Sequence, residues 1–376
     1  MNPLIDNPFL ITGYESPKYF CDREVETKEL YETLRNGRNV TLTSPRRMGK
    51  SALIKHLFYT INQQEPKAVT IYIDLYPTEC LFDFTKAFAA AILGQLDSNP
   101  VKVLKKATAI FRGLRPFYSV DSLTGQPKVG FDFVPGSEGH TLEQVFSYLN
   151  SSGKTCYIAL DEFQQIGNYP EKNIEAILRS YIQDLHNVHF IFSGSQKHML
   201  EEMFHSPKRP FYQSSSEKTI DVIDYNRYYS FAAAFFNAQG REMPESVFNM
   251  IFNRYEGYTG YIQIVLNRLY SKSNQTIDSV LAEECISDIL QENNDYYMYL
   301  LRAYSRGQGK LMKAIAKEKK VKEITSGSFI SKYNLSATSS VKSALSRLLD
   351  EEIVYHSEEG YTIYDRFFGE WLATRF

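Results

Sequence analysis

Two rhythms of hydrophobic positions alternate along the first 224 residues. Residues 39–43, 68–75, 156–162 and 188–195 are short apolar, β-branched runs. Runs of that length with no polar face predict strands buried on both sides, as in a parallel sheet. Between them, residues 25–36, 52–58, 81–96, 141–149, 175–185 and 199–204 repeat apolar positions at helical spacing, with Leu30 and Leu34 carrying the first. Thr141 reads as the cap of its helix, with Glu143 and Gln144 in the first turn. Residues 218–223 predict one more strand. Residues 116–135 alternate on either side of Leu123-Thr124-Gly125-Gln126-Pro127, which predicts a β-hairpin inserted among the helices.

Past residue 224 the strands stop. Residues 228–239, 244–256, 260–273 and 276–293 are helical by spacing and broken at Gly240, Gly257 and Gly260. They predict a small α-helical lid over 225–295. Residues 310–319, 328–333 and 339–349 are three further helices, the last with Val341, Leu345, Leu348 and Leu349 on one face. Residues 352–356 and 361–364 then flank Glu358-Glu359-Gly360 as a hairpin. Three helices and a hairpin predict a winged helix-turn-helix over 296–376, whose third helix fits a major groove. Lys310, Lys313, Lys317, Lys319, Lys320, Lys322, Lys342 and Arg347 make this region basic, so DNA is one candidate partner and a docking protein the other. The tail Tyr364 to Leu372 holds the only tryptophan and reads as a segment packed against the N-terminal core.

At 376 residues the chain has room for two or three domains, each with its own core. A net charge of −2 gives no global attraction to nucleic acid or anionic membrane, which leaves local patches to supply any such binding. Aromatics reach 14%, so most of them must be core and none by itself marks a stacking site. Cys21, Cys80, Cys156 and Cys285 are far apart and form no CxxC pair, which suggests neither zinc nor a disulfide scaffold. With no secretory pattern and no apolar run of membrane-spanning length, the expected location is the cytoplasm and no membrane partner is expected.

The candidate chemistry centres on Ser44-Pro45-Arg46-Arg47-Met48-Gly49-Lys50-Ser51-Ala52, which joins the first strand to a helix. Such a loop turns backbone N–H groups inward to cradle phosphates, with a lysine on the β/γ-phosphates and a hydroxyl on Mg²⁺. Gly49 supplies backbone freedom, Lys50 the charge and Ser51 the metal ligand. The usual pattern has glycine where Ser44 stands, and serine meets a steric penalty if the position needs positive φ. The alternatives are a degenerate loop and a basic helix start that binds nothing. Asp161-Glu162 ends an apolar strand with two acids, which predicts that Asp161 orients Mg²⁺ together with Ser51 and that Glu162 polarises the attacking water. A helix-capping acid pair is the bland reading. Ser193 or Ser195, at the next strand tip, is placed to sense a γ-phosphate, although Ser195 also suits a helix cap. Phe20 and Arg23 precede the first helix, where such segments cover an adenine, while Asp22 reads equally as an N-cap.

FCDREVE, SPRRMGKS, IALDEF, FSGS and YDRFFGEWL in that order resemble the archaeal-type ATPase family, a branch of the AAA+/STAND class, over nearly the whole chain. The resemblance implies an α/β P-loop NTPase with an αβα core of mostly parallel sheet over 1–224, a helical lid and a C-terminal winged helix. It also implies that Lys50, Ser51, Asp161 and Glu162 serve ATP, Mg²⁺ and water, and Arg46-Arg47 is typical of the family's loops. No position matches an arginine finger, and self-association is left open. The expected function is therefore a Mg²⁺-dependent ATP-binding switch with slow ATPase activity. The alternative is an adaptor acting through the winged helix without nucleotide.

Overall fold

The computed structural model describes residues 6–96, 114–120, 127–133, 138–272 and 276–375. Its chain divides into two compact units, residues 12–228 and residues 1–11 with 229–376.

The first unit is built on a five-stranded sheet. In chain order its elements are α1 (Glu24–Arg35), β1 (Val40–Thr43), α2 (Lys50–Gln64), β2 (Val69–Asp74), α3 (Leu81–Leu96), β3 (Leu114–Val120), β4 (Pro127–Phe133), α4 (Glu138–Ser151), β5 (Cys156–Asp161), α5 (Ile174–Gln183), β6 (Val188–Gly194), α6 (Lys197–His205) and β7 (Ser216–Thr219). The sheet order is β2-β5-β6-β1-β7, and all four pairings are parallel. Strand β1 thus lies between β6 and β7, and the loop after it opens at the carboxyl edge of the sheet, where ligands of open α/β sheets bind.

The apolar runs are explained by burial on both faces. From β5, Ile158 and Leu160 join a core with Phe84, Phe88, Leu142, Leu178, Phe190, Phe192 and Leu200. From the same strand, Tyr157 and Ala159 face the other way and pack with Leu30, Leu34, Leu53, Leu57, Ile61 and Ile191. Since side chains alternate along a strand, Asp161 and Ser193 continue the Ala159 and Ile191 rows and fall on the α2 face.

The predicted hairpin is present as β3 and β4, paired antiparallel from Leu114↔Phe133 to Val120↔Pro127. Its turn lies outside the described residues. Helix α4 starts at Glu138, so Thr141 sits within it, buried, and does not cap it. Asp22 is not the cap of α1 either. Arg23 holds the N-cap position with φ 74°, while Asp22 pairs with Arg227. Nor does Ser195 cap α6, whose N-cap position is Gln196.

In the second unit the helices α8 (Glu245–Arg254), α9 (Thr259–Ser271), α10 (Ser279–Glu292) and α11 (Asn294–Arg302) follow α7 (Tyr225–Ala238), in which the chain leaves the first unit. Next come α12 (Arg306–Glu318), α13 (Gly327–Lys332), α14 (Thr338–Asp350), and the hairpin β8 (Val354–Ser357) and β9 (Gly360–Ile363). A reciprocal capping box, Ser305 with Gln308, starts α12, and Val341, Leu345 and Leu348 form the buried face of α14. The C-terminal aromatic segment forms α15 (Arg366–Arg375). It belongs to the second unit, not to the N-terminal core as expected: Phe367 packs edge-on against Tyr255 and Tyr261, and Trp371 meets Tyr297. Phe367 and Trp371, one turn apart on this short helix, meet tyrosines from three different segments, which a sequence reading of the tail alone does not supply.

Candidate nucleotide site

The site begins with the turn between β1 and α2. Gly49 takes φ 91° and Arg47 φ 67°, whereas Ser44 is absent from the positive-φ residues. The penalty expected at Ser44 therefore does not arise, and the left-handed residues that tighten this turn are the two that follow. A Cβ at Gly49 would meet no atom within 4 Å, so glycine is favoured there by φ alone. Met48 is buried.

Lys50 opens α2, and its ammonium donates to the Ser44 carbonyl at 2.9 Å, to Ser44 Oγ at 3.3 Å and to the Pro45 carbonyl at 3.4 Å. The loop so wraps its own cation at a helix N-terminus, where the dipole adds positive potential. One residue on, Ser51 Oγ donates to Asp161 Oδ2 at 2.7 Å. That contact joins residues 110 positions apart and brings together the two groups the sequence reading assigned to a metal. Asp161 is 3% exposed and is held on both sides: its Oδ1 accepts from the Glu162 amide at 3.1 Å, and its Oδ2 also accepts from the Tyr72 hydroxyl. Burial, then the Asp161 charge and that bond, push the Tyr72 hydroxyl far above the usual tyrosine range, so it stays a donor. Lys55 lies 5.1 Å from the centre of the same ring.

Tyr72 was not singled out in the sequence, nor was Asp74, which pairs in register with Asp161. Burial, and the like charges of Asp161 and Glu162, raise the Asp74 carboxyl against the opposing Tyr76 amide and Lys55. A signal existed, because Ile73-Asp74 repeats the apolar-then-acid ending of Leu160-Asp161.

Glu162 leaves the strand with φ 53° and starts a 3₁₀ turn, Phe163–Asn168. Its Oε2 accepts from Gln164 Nε2 at 2.6 Å, from Ser195 Oγ at 2.9 Å and from the Ser195 amide at 3.2 Å. Arg46 Nε, from the loop, reaches Ser195 Oγ at 3.3 Å. Loop, acid pair and β6 tip are therefore one hydrogen-bonded assembly. Ser193 is fully buried with no hydrogen bond on its hydroxyl. The β5–β6 register ends at Leu160↔Phe192, which sets Ser193 beside Asp161 one step on.

Phe20 and Arg23 are engaged within the protein. One face of Phe20 stacks on His56 at 4.3 Å, and the Tyr14 hydroxyl bonds His56 Nδ1 at 3.0 Å. Burial holds the His56 imidazole below its usual range. Arg23 is 4% exposed and donates to Glu26 and to the Asp221 carbonyl. Arg23 thus ties the N-terminal segment to the chain after β7 through its bond to the Asp221 carbonyl.

The arrangement offers hard oxygen ligands, Ser51 and Asp161, with Lys50 next in the chain to Ser51. These fit Mg²⁺, which is held by one or two protein oxygens together with phosphates and water. No group of three His, Cys, Asp or Glu suited to hold a metal occurs among the described residues. All four cysteines are free thiols, and no helix among the described residues is long and apolar enough to cross a membrane.

Comparison with known proteins places these features. Residues 33–204 match the family described as an AAA domain, and residues 295–374 the family described as a probable winged helix domain. The fold is similar to that of the Walker-type ATPase PABY2304 of Pyrococcus abyssi, with 19% identity, a TM-score of 0.67, and 97% of this chain and 99% of that one covered. It is also similar to the ORC2 protein of Aeropyrum pernix in its ADPNP–ADP complexes, at 14% identity and TM-score 0.62, covering 98% and 95% of the two chains. The ORC1 protein of the same organism in complex with DNA shares 15% identity at TM-score 0.51, covering 96% and 94%. No curated protein matches the sequence. The chain thus carries an AAA domain over residues 33–204 and a probable winged helix domain over residues 295–374, in a fold similar to that of these proteins.

Proposed function

We propose that the chain binds ATP with Mg²⁺ at the loop 44–52 and hydrolyses it slowly, as a nucleotide-controlled switch of the STAND kind read out through the lid and winged helix. The observation that carries this reading is the 2.7 Å contact of Ser51 with Asp161, which assembles both proposed metal oxygens beside the Lys50 cation. When bound, Mg²⁺ neutralises charge on the β- and γ-phosphates. Lys50 exchanges its carbonyl partners for phosphate oxygens, a gain because charged acceptors bind an ammonium more strongly than neutral ones. The backbone amides at the start of α2 bind the phosphates. Glu162 accepts the proton of the attacking water, and Ser193, beside Asp161, is the candidate γ-phosphate sensor.

Calorimetric titration with Mg-ATP and a phosphate-release assay test this. Lys50→Ala should lose binding, while Glu162→Gln should keep binding and lose turnover. Unchanged hydrolysis in both variants would refute the proposal.

A second reading, DNA contact, is favoured by one feature of the winged helix. Arg306, Lys310, Lys313 and Lys317 recur along α12 at helical spacing, and Lys342 and Arg347 are exposed on α14. Against it, the wing tip presents Glu358 and Glu359, which repel phosphate. Titration of labelled duplex DNA with and without ATP at two salt concentrations separates the readings: an adaptor binds DNA with an affinity that ignores ATP.

A further inference from the structure

Gln164 is a polar residue in an apolar corner. It is 5% exposed, next in sequence to the fully buried Phe163, and close to Leu200. A carboxylate only accepts, so the bond to Glu162 Oε2 fixes the amide with its NH₂ toward Glu162. The carbonyl Oε1 is thereby directed at β6, where it is buried without a hydrogen-bond partner. The fit is close: a Cβ on Gly194 would stand 2.0 Å from Gln164 Oε1 and 2.8 Å from Leu200 Cδ1. Gly194 does not take positive φ, so glycine is favoured there by space and not by backbone conformation: a Cβ would displace the ends of the Gln164 and Leu200 side chains. A buried, unsatisfied carbonyl costs stability, and an apolar side chain of the same length would remove that cost.

Among the described residues the one side-chain hydrogen bond Gln164 makes is to the carboxylate of Glu162. All of the hydrogen bonds that hold this carboxylate, from Gln164 Nε2, Ser195 Oγ and the Ser195 amide, fall on Oε2. Among the described residues none falls on Oε1. The left-handed backbone at Glu162 has already turned the side chain off the strand, and Gln164, two residues on, sets where it stops.

We propose that Gln164 is the positioning residue of Glu162: with Ser195 it pins Oε2, so that Oε1 is the oxygen aimed at water, and Gly194 is the space this requires. The inference rests on the hydrolytic reading of Glu162. In that reaction the water oxygen bonds to the γ-phosphorus, the bond from that phosphorus to the β–γ bridging oxygen breaks, ADP leaves, and the water proton passes to Glu162 Oε1. Ser195 also links Arg46 of the phosphate loop to the same carboxylate, so Gln164 is the arm of this clamp that does not depend on the loop.

The test uses the full chain carrying Gln164→Met, which keeps length and apolar packing and removes both amide groups. Expected are a kcat lower by about tenfold or more, an unchanged KM and unchanged ATP affinity, and a nucleotide-free melting temperature equal to or above that of the wild type. Ser195→Ala, as a second variant, should lower kcat in the same manner. A kcat within twofold of wild type in Gln164→Met overturns the proposal. So does a melting temperature several degrees lower, which would make Gln164 a packing residue. If the wild type does not turn ATP over, or Glu162→Gln does so normally, the hydrolytic reading itself fails and the inference falls with it.

Discussion

Tyr72→Phe isolates one donor at the centre of the site. The carboxylate of Asp161 is almost wholly buried and takes three bonds, from Ser51 Oγ, the Tyr72 hydroxyl and the Glu162 amide. Phenylalanine keeps the ring, its place on β2 and its contact with Lys55, and deletes only the oxygen. A hydrogen bond to a charged group is worth about 1.5–3 kcal/mol, and at a site this enclosed solvent replaces little of it. Taking ~2 kcal/mol, and about 2–4 °C per kcal/mol for a domain of this size, the melting temperature should fall by about 4–8 °C. Calorimetry without nucleotide reads that directly. A double-mutant cycle with Asp161→Asn assigns it, because the two substitutions should couple by ~1 kcal/mol or more if the bond is what was lost. A melting temperature within a degree of wild type, or strict additivity in the cycle, would show that the hydroxyl does not support Asp161.

Two further outcomes follow from the same coordinates. Burial pushes Tyr14, Tyr31 and Tyr169 up to about 12, with the neighbouring Glu65 adding to the shift of Tyr31. A folded value raised above the unfolded one, about 10, means the folded state holds protons that the unfolded state releases. The associated stability is complete below pH ~10 and lost as pH rises toward 12, so phenolate absorbance of these residues should appear together with unfolding; their ionisation in the still-folded chain would contradict this. Ser44→Gly should leave ATP affinity within about threefold, since Ser44 carries no positive-φ strain to relieve, which is worth about 1–3 kcal/mol where it exists. Tenfold tighter binding by calorimetry would refute that.

The fold was legible because its signals are local. A strand covered on both faces must be largely apolar, and residues 156–160 and 190–192 are. The loop, too, announces Lys50 and Ser51, and an apolar run ending in acids announces Asp161 and Glu162. What was not legible depends on register between distant strands. Tyr72 reaches Asp161 only because β2 pairs with β5 as Tyr72↔Ala159, two rungs before Asp74↔Asp161, with both side chains on the α2 face. Nor could the sequence show that Arg23, just before the first helix, bonds a carbonyl 198 positions away. Helix α11 and the C-terminal helix escaped for a related reason, since their aromatic stripes have meaning only against each other.

The alternation of the strand also explains how two neighbouring carboxylates coexist at one sheet edge. Asp161 ends β5 on the α2 face, where hydroxyls from α2 and β2 reach it. Glu162, had it stayed in the strand, would have pointed into the apolar core with Leu160 and Phe192, where a lone carboxylate is untenable. The left-handed backbone at Glu162 lifts it out, and its donors come from β6 and the 3₁₀ turn instead. Among the described residues the two acids share no side-chain donor: Ser51 and Tyr72 hold Asp161, and Gln164 and Ser195 hold Glu162. In the proposed function that separation gives one carboxylate to the metal and the other to a proton, and it makes the donors of Glu162, and not the acid pair as such, the groups whose substitution tests turnover.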